Sequence, residues 1–266
     1  MRKLGCKLWT NNWFKNNAFF REVVGKAREK EFDYVELFVF PGSCEDTLQP
    51  VCEELKGLPV IIHNSHSSFG FDTGNAEREK ANLQDVNDAK RFADKLNAPI
   101  IIVHAGCGDK EENLQETIRQ FRLFNDKRIA VENLPYTCGI GGDLQAVNHG
   151  NSVADVKLIK EMTGCKFCLD FSHAICAANH AQINYNDFLQ DMVNLRPDMF
   201  HLCDGHMDKT DDEHLHFGEG NYPLAHLLND YVYDQAFVTM ETGHETPVTS
   251  KPWLDDKIYL RKIEKI

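Results

Sequence analysis

A chain of 266 residues with 42% hydrophobic and 26% charged side chains has material for a large buried core and the composition of an ordinary globular protein. Its formal net charge of −12 excludes a broadly basic nucleic-acid-binding surface, while leaving room for a local positive cleft or bound cations. No run of 18 or more apolar residues is present, which excludes a transmembrane helix, and the start MRKLGCKLWTNNWF lacks a signal-peptide core, so a cytoplasmic location is expected.

Short apolar or β-rich runs recur along the chain, each followed by a turn signal and a longer helical pattern. In order they are KLGCKLWT (3–10), YVELFVF (34–40), PVIIHNS (59–65), PIIIVHAG (99–106), RIAVENLP (128–135), KFCLDFSHA (166–174), MFHLCDGH (199–206) and AFVTMETG (236–243). Most are too apolar for a sheet with one wet face, as expected of parallel strands covered on both faces. Segments 76–96 and 112–124 have helical spacing; in the first, Ala81, Val86, Ala89, Phe92, Ala93 and Leu96 fall on one stripe. Strands alternating with helices in this way predict a single (β/α)8 barrel over residues 1–266, because a doubly wound open sheet would carry a Gly-rich nucleotide loop. No linker or composition break marks a second domain. The nine cysteines are an odd number without a small-domain framework and read as reduced thiols; the C-x-x-C of Cys165 and Cys168 runs into the apolar FCLDF and reads as packing.

The runs begin apolar and end polar. They place Glu36, His63, His104, Glu132, Asp170 with His173, His201 with Asp204, and Glu241 near the C-terminal strand ends, where barrel active sites form. Lysines and arginines are read as flanking these strands on loops and helices, with none inside. Carboxylates and imidazoles converging without a cation are costly to desolvate. A divalent metal removes that cost, and the Asp/Glu/His mixture suits zinc, manganese or iron. The stretch HLCDGHMDKTDDEHLHFGEG (201–220) adds Asp212 and His214, two apart, whose side chains share a side in extended backbone. Gly218 and Gly220 allow a sharp return, and Asp208, Asp211 and His216 read as solvated loop.

Ordered motifs carry the same residues: IIHNS with His63, VHAG with His104, AVENL with Glu132, LDFSHA with Asp170 and His173, HLCD with His201, DEHLHFGEG with Asp212 and His214, and METG with Glu241. In these the chain resembles the endonuclease IV branch of the xylose-isomerase-like barrels over nearly its whole length. The resemblance implies three metal ions, commonly zinc, held by those residues. His63, His104 and Glu132 would hold one; Glu132, Asp170, His201 and Glu241 the second; His173, Asp212 and His214 the third. Glu132 would bridge two ions, and Glu241 would orient the attacking water, making these two the catalytic residues. The implied activity is hydrolysis of the DNA backbone 5′ to abasic sites. The alternative is a divalent-metal isomerase or epimerase acting on a small sugar or sugar phosphate through Glu132, Asp170, His201 and Glu241 alone. Neither reading involves a membrane or an obligate protein partner.

Departures bear on substrate. The family's Gly-x-His in the first strand is GCKLW here, its arginine-bearing loop after the second strand is the acidic FPGSCED, and its DNA wedge is replaced by HSSFGFD, where Phe69 or Phe71 would serve. Phe69, with Trp9, Trp13 and Tyr136, is a stacking candidate. Asn133 and Asp204 are candidates for orienting ligands or contacting substrate. The terminal DDKIYLRKIEKI packs either on its own barrel or on a neighbouring subunit.

Overall fold

All eight runs form strands in the computed structural model, which describes residues 1–140, 144–243 and 248–265. In chain order the elements are β1 (Lys3–Trp9), α1 (Asn12–Lys15), α2 (Asn17–Arg28), β2 (Tyr34–Phe38), α3 (Cys44–Leu55), β3 (Val60–His63), α4 (Glu79–Leu96), β4 (Ile101–His104), α5 (Glu111–Phe124) and β5 (Ile129–Glu132). A hairpin of β6 (Thr137–Ile140) and β7 (Leu144–Val147) follows, then α6 (Val153–Thr163), β8 (Lys166–Asp170), α7 (Phe171–Ala181) and α8 (Tyr185–Asn194). The chain continues through β9 (Met199–Leu202), the single turn α9 (Leu224–His226), β10 (Phe237–Met240) and α10 (Lys251–Ile263). Strands β1, β2, β3, β4, β5, β8, β9 and β10 are joined in that order, every pair parallel, and β10 closes on β1. This is a (β/α)8 barrel. The hairpin was not expected, because two four-residue strands are too short to show a period.

Two apolar layers hold the barrel. The outer one packs helix faces, such as Val23, Val86, Phe92, Phe121 and Leu189, on the sheet. The inner one (Tyr34, Ile61, Ile102, Ala130, Cys168 and Met199) fills the bore beneath the polar strand ends. Each fully buried Ile, Leu, Val, Phe or Met among them contributes about 1.5–3 kcal/mol. Tyr34 passes over β1 to bond Thr239 Oγ1 of β10 at 2.8 Å. A Cβ at Gly5 would meet its ring at 2.3 Å, so a bare glycine in β1 is what admits the plug.

The α4 stripe differs from expectation at one place. Ala81 is exposed and Asn82 takes the inward position, bonding Gln120 Oε1 at 2.8 Å and the Asp72 carbonyl at 2.7 Å. A buried amide with two acceptors outcompetes a methyl group there. Helix α10 docks on its own barrel through Trp253 and Leu260. Its buried Asp256 accepts from His216 Nδ1 (2.7 Å), Phe217 N (3.0 Å) and Thr242 Oγ1 (2.6 Å), fastening the loop after β9 to the end of β10. His216 is thus part of a clamp and not a solvated residue, whereas Asp208 and Asp211 are exposed. Cys165 and Cys168 form no disulfide. Among the described residues no helix is long and apolar enough to cross a membrane.

Candidate metal centre

Parallel register brings the polar strand ends side by side. His104 is paired with Glu132, and Asp170 with His201, while Glu241 directly follows β10. Asp170 is also the N-cap of α7: its Oδ1 accepts from His173 N at 2.7 Å, as capping carboxylates do, which holds His173 in the first helical turn beside it. The D-x-x-H spacing is the spacing of an N-cap and its third helical residue.

All nine residues singled out as ligands converge, in three groups. Glu132 is the hub. Its Oε2 lies 3.3 Å from His63 Nε2 and 3.1 Å from His104 Nε2, and its Oε1 lies 3.1 Å from His201 Nδ1. His201 Nδ1 also faces Glu241 Oε2 at 2.6 Å and Asp170 Oδ2 at 3.8 Å, forming the second group. In the third, Asp212 Oδ2 sits 3.2 Å from His173 Nε2 and 2.9 Å from His214 Nε2. The ligand-type atoms within each group all lie within 4.8 Å of one another, close enough to hold a metal ion.

Two observations test the fit of metal to these residues. First, the far side of three rings is anchored. His63 Nδ1 donates to the Asn64 carbonyl at 2.7 Å and His173 Nδ1 to the Asn133 carbonyl at 2.9 Å, while His201 Nε2 donates to Glu36 Oε2 at 2.9 Å. Each anchor fixes the tautomer and aims the other nitrogen into the cluster, as in metal-ligating histidines. Second, His63 Nε2, Glu132 Oε2, Asp170 Oδ2, Asp212 Oδ2 and Glu241 Oε2 are buried without a hydrogen-bond partner. Buried polar atoms are rarely left so, and these five are the atoms a metal would take. The residues fit the group.

Protons take the place of cations in the electrostatics. Burial works against charge throughout, yet the Glu132 carboxyl is held well below the usual range by the imidazoles of His201 and His104. Burial opposes charge on His173 too, but the Asp170 and Asp212 carboxylates raise it to about 10. Burial pushes Asp170 up to about 6, helped by the nearby Asp212 and Glu132 charges.

Glu36 was read as one of the polar residues near the rim. It is instead fully buried behind His201, also accepting from Thr239 Oγ1 at 2.6 Å. It is a positioning residue. Glu36→Gln is expected to weaken metal binding at the Glu132–Asp170–His201–Glu241 group by about 10–100-fold, leaving the His173–Asp212–His214 group intact. Competition with a chromophoric chelator reads both, and unchanged affinity at the first group would remove Glu36 from the site.

Other expectations are corrected by the geometry. Lys7, inside β1, contradicts the reading that no cation lies within the strands: it points into the cluster and pairs with Glu241. Asp212 and His214 do not converge by extended alternation, because His214 has φ +47 and its N–H bonds back to Asp212 Oδ1 at 3.3 Å in a tight turn. Asp204 is committed to its own loop, its carboxylate accepting from the N–H groups of Gly205, Gly218, Gly220 and Tyr222. This leaves its carboxylate fastened to backbone. Asn133 clips β5 to β8 through Asp170 N (2.8 Å) and Asp170 O (2.9 Å), and so holds Asp170, a candidate ligand, in place. Phe71 is buried in the core, whereas Phe69 lines a cavity beside Glu241 with Trp9, Phe40 and Lys7. Trp13 packs on Phe20, and Tyr136 stacks on His180.

Comparison with known proteins places this geometry. The chain is 26% identical over 238 residues to a probable endonuclease 4 of Mycobacterium leprae, covering 84% of this chain and 90% of that one. It is 22% identical over 184 residues to an uncharacterised protein of Methanocaldococcus jannaschii, covering 64% of this chain and 59% of that protein's length. Endonuclease IV from Thermus thermophilus superposes with a TM-score of 0.63 at 19% identity, over 98% of this chain and 97% of that one. A D-tagatose 3-epimerase-like protein superposes with a TM-score of 0.68 at 19% identity, over 98% and 96%. The named activities divide between endonuclease and epimerase, while the two superposed structures share the barrel. A family model, xylose isomerase-like TIM barrel, matches residues 24–263, so this closed barrel with its polar strand ends belongs to the xylose isomerase-like TIM barrel family.

Proposed function

We propose that this protein is a metal-dependent phosphodiesterase with three divalent-metal positions, zinc being the best fit to its His/Asp/Glu donors, and that it cuts DNA 5′ to abasic sites. The observation that carries this reading is the His173–Asp212–His214 group, beside a complete Glu132–Asp170–His201–Glu241 set. A single-metal isomerase has no use for a third group of ligands. When bound, the ions supply the charge that polarises a phosphoryl group and lowers the pKa of water. The chain's own part is to hold that charge in place. Glu132 presents one oxygen to each of two groups, and Glu241, at the cavity edge, lies between His201 and His214, where it can orient an attacking water. Protein purified without chelator should carry about three ions per chain and incise a duplex containing an abasic site. Full metal content without incision would overturn the substrate, and about one ion per chain would overturn the mechanism.

A second reading, a sugar or sugar-phosphate isomerase or epimerase, is favoured by one observation. Glu241 opens on a cavity of 440 Å³ walled by Trp9, Phe40, Phe69 and Trp253, of a size for a small ligand. There the four shared ligands would hold one ion and a carboxylate would move the proton. Conversion of ketoses or their phosphates by the loaded protein distinguishes it.

A further inference from the structure

Lys7 stands in register with Glu36 across β1 and β2, and its side chain is only 11% exposed. An ammonium so placed is expensive to desolvate unless it is paired. It bonds Glu241 and lies 3.7 Å from Glu36 Oε1, an oxygen that accepts no hydrogen bond. An ammonium has three protons to donate. Glu241 takes one and the distant Glu36 oxygen at most another, which leaves a donor for the cavity that Lys7 lines.

The rest of that cavity points the same way. Its wall also carries Lys15 and the amides of Asn11 and Asn12, and Glu241 is its one carboxylate among the described residues, in a chain of net charge −12. Trp9 and Phe69 meet edge to face there, ring centroids 5.8 Å apart, giving an apolar wall against which the C–H face of a sugar can lie. Lysines and amides beside aromatic rings, on a wall completed by His66, His214, Glu241 and Thr242, suit a ligand with a sugar body and an anionic end.

We propose that Lys7 sets substrate specificity by binding the phosphate of a sugar phosphate whose sugar rests on Trp9 and Phe69. This rests on the proposed metal site but not on which reaction occurs there, since a free sugar phosphate and an abasic residue of DNA share that chemistry.

The test is calorimetric binding to metal-loaded protein of ribose 5-phosphate against ribose, and of abasic against intact duplex, with metal per chain measured on every variant. Wild type is expected to bind the phosphorylated sugar about 10–100-fold more tightly than ribose. Lys7→Met should remove that difference with ribose affinity and metal content unchanged. Lys7→Arg should preserve it, and Trp9→Leu should weaken both sugars alike. A preference with free ribose 5-phosphate assigns the subsite to small sugar phosphates. A Lys7-dependent preference seen only in the abasic duplex assigns it to DNA. Unchanged preference in Lys7→Met overturns the proposal, and so does a loss of metal that accounts for the whole effect, since Lys7 is then only a counter-ion. Equal affinities in wild type for both members of each pair overturn it even if Lys7→Met does not fold. Lys7-dependent binding without incision would refute the phosphodiesterase and leave this proposal standing.

Discussion

Glu132→Gln is expected to lower turnover by on the order of a thousandfold or more and to strip metal from two of the three groups at once. The reason is geometric. Glu132 is fully buried at the end of β5, and its two oxygens face different imidazoles: His63 and His104 on one side, His201 on the other. An amide keeps the volume but removes the charge, and its NH2 turns a donor toward one set of ring nitrogens. Among the described residues Glu132 is the carboxylate that pairs with His63 and His104, whereas Asp170 and Glu241 face His201, His173 and His214. The His173–Asp212–His214 group should still load, so elemental analysis should find about one ion where wild type holds about three. A variant retaining full metal content and near-full turnover would remove Glu132 from the centre of the scheme.

Exhaustive chelation should abolish activity and lower the melting temperature by about 10 °C, the effect of losing about 4 kcal/mol of ligand stabilisation in a chain of this size. Metal-free protein should keep its fold, because protons on the buried imidazoles balance the carboxylates there. His173, raised to about 10, holds a proton at neutral pH against Asp212 and Asp170, and His201 is raised well above its ordinary value by Glu36, Glu132 and Glu241 among others, although burial opposes both. Ions must displace those protons. Reloading with zinc near pH 7.5 should therefore release about two protons per chain, read as the dependence of calorimetric heat on buffer ionisation enthalpy. The sign follows from the raised pKa values: more acid means tighter-held protons and weaker metal binding. Zinc binding without proton release would show that these imidazoles are neutral in the metal-free protein.

Much of this protein was legible in its sequence. Buried parallel strands need apolar residues on both faces, so each run announces itself, and its polar last residue marks the end that faces the active site. The nine candidate ligands could be named because each lies in a short local motif. Residues acting across the barrel were harder to read. Lys7 and Glu36 sit within strands, where an ionisable side chain has no local signature; only closure of β1 against β2 and β10 sets them beside Glu241 and His201. Asp204 was a candidate for orienting a ligand or contacting substrate because it follows His201 by three residues, yet four backbone N–H groups of a loop extending to Tyr222 occupy its carboxylate.

The sequence by itself determined the barrel, the polar rim of its strand ends and the identity of the metal-ligand candidates, since periodicity and strand-end polarity are local properties of the chain. Only the tertiary structure decided how those candidates divide into three groups around Glu132, which nitrogen of His63, His173 and His201 is aimed inward, and that a buried lysine faces the cluster. These depend on register and on distances of a few ångströms between strands far apart in the chain, and such contacts do not exist until the barrel closes.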